Sequence, residues 1–132
     1  MFAITKYVLF ALPVAFLTLR AAVPHMKAGG SIINTSSVTA FKGSPSMVDY
    51  SSTKGAIITF TRSLALQLAP KHIRVNVVCP GPVFTPLQPA SRPKEQMEDF
   101  QVGALPLHGR SNQPAEMGPA YGTYFGDGLG QG

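Results

Sequence analysis

The sequence predicts an α/β fold built on a parallel sheet, and three observations predict it. A short β-branched run, "SIINTSS" at residues 31–37, precedes a helical period that begins near residue 51. A second β-branched run, "IRVNVVCPGPV" at residues 73–83, follows that helix. Strand, long amphipathic helix, strand is a βαβ unit, whose strands run parallel and whose crossover is right-handed. Strands of this kind are apolar on both faces and need helices over each.

The elements follow in chain order. Residues Tyr7 to Leu19 are apolar apart from Thr18, with Lys6 before the run and Arg20 after it, and no acid precedes Asp49. That outline fits the apolar core of a signal peptide and equally a buried helix, and the helix is the expectation. The run is too short to span a bilayer, and Pro13 is expected to interrupt it. Gly29-Gly30 marks a turn into the first strand. Residues 38–47 carry Gly43 and Pro45 among small hydroxyls and read as a loop. From about Ser51, the residues Ile57, Phe60, Thr61, Leu64, Ala65 and Leu68 recur at three- and four-residue steps, so one face of the helix is apolar. Pro70 ends it. Beyond Thr85 the chain is proline-rich, with one helical candidate around Pro93–Phe100; residues 86–107 read as a lid or binding loop. Five glycines in residues 122–132 mark a frayed tail. The 132 residues form one domain, in which residues 1–13 stand apart as an extension.

Composition removes several functions. Lysines and arginines exceed acids by 11 − 6 = 5, but they are scattered from Lys6 to Arg110 without a basic stripe beside stacking aromatics, so no nucleic acid partner is expected. A lone Cys79 forms no internal disulfide, and His25, His72 and His108 follow no ligand spacing, so no metal is expected. No membrane partner is expected either.

Ligands of open α/β sheets bind outside the carboxyl ends of the strands. "NTSS" and "CPGPVFT" lie there, and the helix carrying Tyr50 and Lys54 begins close by. Four residues along a helix place both side chains on one face, one turn apart. An ammonium at Lys54 favours the phenolate of Tyr50, which can then lend and take a proton. Ser37, thirteen positions upstream at the strand's end, places a hydroxyl where a carbonyl oxygen could be held. Each residue alone has a plainer reading: a strand-end serine, a half-buried ring, a solvated lysine.

Together, "SIINTSS", "YSSTKGA" and "IRVNVVCPGPVFT" resemble the short-chain dehydrogenase/reductase family, in its order and at its spacings. The resemblance covers roughly residues 14–121, about the second half of a typical member, and is nearest to the glucose/ribitol-dehydrogenase-like branch. It implies a partial Rossmann-like sheet and an NAD(P)-dependent oxidoreductase that moves hydride between nicotinamide and an alcohol, ketone or sugar. By motif, Tyr50 would be the general acid/base, Lys54 would hold the ribose hydroxyls, and Ser37 would polarise the carbonyl. Pro80, Gly81, Val83 and Thr85 would line the nicotinamide. The resemblance also implies a cytoplasmic protein that self-associates through the helix bearing Ile57, Phe60 and Leu64 and the helix before it.

Departures from the family pattern set a second expectation. No glycine-rich strand–turn–helix occurs; "GLGQG" near the end has no strand before it and no helix after it. The residue that selects NAD over NADP is absent, so the two cofactors are not distinguished. Also absent are the family's asparagine on the helix before "SIINTSS" (Asn34 is a different position) and its last strand. The domain is therefore expected to be incomplete, from a truncated or mis-spliced gene model. The alternative reading is a non-catalytic fragment that at most pairs with intact relatives. A third is a small secreted or membrane-tethered protein whose first twenty residues are a signal.

Overall fold

The computed structural model describes residues 4–86 and 109–125. The chain enters its sheet through the turn at Gly29, whose φ of +85° suits a residue without a side chain. The Gly29 N–H donates to the His72 carbonyl at 2.8 Å, and the Arg74 N–H donates to the Gly30 carbonyl at 2.9 Å, which starts both strands level. A Cβ on Gly30 would lie 2.9 Å from Met26 Cε and 3.0 Å from the Lys27 carbonyl, so the close approach itself requires glycine.

Strands β1 (Ser31–Thr35) and β2 (Arg74–Val78) pair in parallel, from Ser31 opposite Arg74 to Thr35 opposite Val78. The expected βαβ unit is formed. Side chains alternate across the sheet. Ile32 and Val75 point to one face and, with Ile73 and Leu68, make the core, flanked by Leu19, Val23, Met26, Leu64 and Ala65. Ser31 and Thr35 point to the other.

Helix α1 (Ile4–Ala22) is continuous through Pro13, against the expected interruption: the ring removes one donor without stopping the helix. A 3-10 turn, Val23–His25, links it to the glycines. Burial is expected for this apolar helix, yet Val14, Phe16 and Leu17 are exposed, and among its described side chains it is Leu19 that packs on the core.

The stretch 38–47, expected to be a loop, contains one helical turn, α2 (Thr39–Lys42), ended by Gly43 at φ +71°. Helix α3 (Val48–Leu68) starts three residues before the apolar period. Its first turns are small and polar, so periodicity is silent there; Asp49 favours that start by facing the positive end of the helix dipole. Pro70 follows in a closing 3-10 turn, Ala69–Lys71.

Helix α4 (Pro114–Phe125) begins with Pro114 at its first position, while the Glu116 carboxylate accepts from the Gln113 N–H at 2.6 Å, half of a capping box. It runs to Phe125, into the stretch read as a frayed tail. Tyr121 and Tyr124 of α4 meet Thr35 and Ser31, placing this helix over the second face of the sheet. The helical candidate at Pro93–Phe100 and most of the 86–107 segment lie outside the described residues. Among the described residues no helix is long and apolar enough to cross a membrane.

Candidate active site

The carboxyl ends of β1 and β2 and the first two turns of α3 meet at one place. The strand ends are locked together past the ladder: the Ser36 N–H donates to the Val78 carbonyl at 2.8 Å, and the Val38 N–H donates to the Pro80 carbonyl at 3.0 Å. Ser37 therefore sits at the lip of the sheet, 7% exposed. Its oxygen accepts from the Thr39 N–H at 3.2 Å and is 3.1 Å from Thr39 Oγ1. With its lone pairs taken, its own proton remains to donate.

Tyr50 and Lys54 lie one turn apart at the start of α3. The Lys54 ammonium is 5.6 Å from the centroid of the Tyr50 ring, within cation–π range. The same ammonium donates to the Thr35 carbonyl at 3.2 Å. Half-burial lowers the Lys54 pKa below the usual 10.5, and the Cys79 sulfur nearby acts in the opposite sense. Asp49 stands beside the pair, its carboxylate accepting from the Tyr50 N–H at 2.8 Å. Among the described residues the Tyr50 hydroxyl has no hydrogen-bond partner, and the ammonium has only Thr35.

The second strand end continues through Pro80 and Gly81, both half-buried, to Val83. Val83 bridges Asn112 in parallel: the Phe84 N–H donates to the Asn112 carbonyl at 2.8 Å, and the Asn112 N–H donates to the Pro82 carbonyl at 2.9 Å. That bridge fixes Val83 and the adjoining Thr85 relative to the chain that returns at Gly109. Sequence reasoning missed Thr35, Ser36 and the placement of Cys79 within electrostatic reach of Lys54. The signal was present for the first two, since the run "NTSS" is wholly small and polar at the end of an apolar strand.

A family model described as Enoyl-(Acyl carrier protein) reductase matches residues 8–127. An NADPH-dependent aldehyde reductase 1, chloroplastic, of Arabidopsis thaliana is 57% identical over 106 residues, 80% of this chain and 36% of that protein. This chain belongs to the short-chain dehydrogenase/reductase family. Another relative in Arabidopsis thaliana, a glucose and ribitol dehydrogenase homolog 2, is 54% identical over the same shares of the two chains. The fold agrees: a short-chain dehydrogenase/reductase of the glucose/ribitol dehydrogenase type from Brucella melitensis superposes with a TM-score of 0.69 at 32% identity, over 83% of this chain and 43% of that one. A 3-oxoacyl-[acyl-carrier protein] reductase from the same organism gives 0.67 at 36% identity, over 83% and 41%. This dehydrogenase/reductase chain thus spans about a third of the length of the curated relatives it matches.

Proposed function

We propose that this chain carries the proton-transfer side of an NAD(P)-dependent oxidoreductase acting on an alcohol/ketone couple or a sugar. The single observation that carries the reading is the Lys54 ammonium, held at the strand end by Thr35 and facing the Tyr50 ring. The residues fit the nicotinamide-ribose part of a dinucleotide. An ammonium with one protein acceptor among the described residues keeps two N–H groups for ribose hydroxyls. Nothing in the 132 residues matches a pyrophosphate-binding turn, which leaves the fit partial.

When bound, the nicotinamide supplies or takes the hydride. Ser37 donates its proton in a hydrogen bond to the carbonyl oxygen and orients it. Tyr50, as general acid, passes its phenolic proton to that oxygen in reduction and recovers it in oxidation. Lys54 stabilises the phenolate that results. Pro80, Gly81, Val83 and Thr85 would line the nicotinamide side of the site. NAD and NADP are both compatible with this set.

Self-association belongs to the same reading. The apolar residues Val14, Phe16 and Leu17 are exposed on α1, beside a groove of about 320 Å³ lined by Phe16, Leu19, Phe60 and Leu64. Size-exclusion chromatography with light scattering tests it; a monomer at all concentrations counts against it.

The test of function is a titration of NADPH and NADH followed by nicotinamide fluorescence, then turnover with aldehydes and sugars. Binding in the micromolar range is expected, with turnover reduced about 10²–10⁴-fold in Tyr50→Phe. No binding at millimolar cofactor favours the non-catalytic alternative.

A further inference from the structure

The site as read uses only the last residue of "NTSS", yet the serine before it is the more buried: Ser36 is 3% exposed against 7% for Ser37. A buried hydroxyl needs a partner. Ser36 Oγ finds one in the backbone carbonyl of Lys54, to which it donates at 2.7 Å. That carbonyl lies inside α3, where the helix itself supplies the N–H four residues on. The serine therefore occupies a second lone pair and is not needed to complete the helix. Its own N–H donates to Val78. One residue thus ties both strands to the turn of α3 that carries the site.

The lysine closes the circuit from its other end, because its ammonium returns to the carbonyl of Thr35, the residue before Ser36. Backbone and side-chain tip of residue 54 are bound to adjacent residues of β1. A lysine stem is long and free to rotate, and both ends must be tied before the charge has a fixed place.

We propose that Ser36 is a positioning residue, whose hydroxyl sets the height and rotation of α3 against β1 and thereby places the Lys54 ammonium beside Tyr50. The proposal rests on the reading of Tyr50 and Lys54 as the working pair. A serine that merely satisfied its own burial would affect stability alone; a positioning serine also moves the charge at Lys54.

The experiment uses the full chain with lysines labelled at Cε, the Lys54 resonance being assigned by its loss in Lys54→Arg. Tyr50, Asp49 and Cys79 are the other titratable groups around this ammonium and are unchanged in every variant compared. In Ser36→Ala the Lys54 titration is expected to move up toward 10.5 as the ammonium swings into water. NADPH binding is expected to weaken about fivefold, the worth of one hydrogen bond. Ser36→Thr, which keeps the hydroxyl, is expected to keep the wild-type titration, and Ser36→Gly, which removes the hydroxyl without adding a titratable group, to move it as Ser36→Ala does. A lowered urea midpoint with the Lys54 titration unmoved in Ser36→Ala and Ser36→Gly overturns the proposal. A wild-type chain that binds no NADPH, but whose Lys54 titration still moves in Ser36→Ala, sinks the oxidoreductase reading and leaves the positioning role standing.

Discussion

Helix α3 is held at two places by different means: at the strand end by hydrogen bonds, and along the α1 groove by apolar contact. At the strand end, Ser36 and Thr35 bind the two ends of Lys54, and the Asn34 amide donates to Thr61 Oγ1 at 2.9 Å. Along the groove, the Phe16 and Phe60 rings meet edge-on at 6.2 Å and 60°, with Leu19 and Leu64 beside them. Hydrogen bonds weaken steeply with angle and distance, whereas apolar burial has no direction. The groove and core can keep α3 attached while letting it slide; the polar junction sets its register. A site that needs a phenol and an ammonium in fixed relation belongs at the junction, and that is where Tyr50 and Lys54 lie.

The comparison breaks most readily at the core that both regions share. Leu68, 2% exposed, packs on Ile32, Ile73 and Val75. Leu68→Ala should cost about 2–5 kcal/mol, the range for emptying a packed leucine site. Urea denaturation followed by circular dichroism measures it, and a loss below about 1 kcal/mol would show a core loose enough to refill the space.

Thr61→Val cuts the junction without changing volume. It leaves the Asn34 amide without its acceptor and frees the Ile57 carbonyl from the Thr61 hydroxyl. A destabilisation of about 1–3 kcal/mol is expected, set by the desolvated amide, in the same denaturation assay. An unchanged midpoint would mean that water replaces the threonine and that the junction is less closed than its distances imply.

Thr61 also shows how far the sequence could be read. Its place in the helical period was legible, because Ile57, Thr61 and Leu64 share a face, but its work as a hydrogen-bond hub was not: that needs Asn34, 27 positions away. The βαβ order, the parallel pairing and the strand ends were legible because β-branched runs and turn residues act locally. Tyr50, Lys54 and Ser37 were legible as a spaced motif. The small polar run marked Ser36 as a strand-end residue, but its work was hidden, since that is a contact with a carbonyl and backbone atoms leave no trace in composition. The start of α3 was missed because its first turns are polar, and the continuity of α1 through Pro13 because one missing donor is a smaller matter than the rule implies.

The pH dependence sharpens the contrast by a smaller amount, since Lys54 is half-exposed and water screens it. Burial lowers its pKa from 10.5, so folding favours the neutral amine. The charged form is disfavoured in full below the folded-state pKa, and that cost vanishes above the unfolded value. Compared with Lys54→Met, the wild-type chain should therefore gain stability as pH rises through the window that ends near 10.5. Urea midpoints of the two chains across that window test the sign. A wild-type chain that loses ground to Lys54→Met there would mean the ammonium is stabilised by its neighbours, with Thr35 and the Tyr50 ring outweighing the loss of water.

The smallest effect is expected on the outer side of α1. Leu17 is 59% exposed and absent from both the core and the groove lining. Leu17→Lys removes apolar surface from water without emptying a packed site, so stability should change by no more than about 0.5 kcal/mol. Nicotinamide binding, which the proposed function places at the junction, should stay the same. Light scattering should nevertheless report a smaller particle if the exposed strip of α1 holds copies together, because a buried lysine has no acid on this helix to meet it. A large loss of cofactor affinity in Leu17→Lys would join the two regions that are here held apart: it would mean that association across α1 sets the register of α3, a task otherwise left to Ser36 and Thr35.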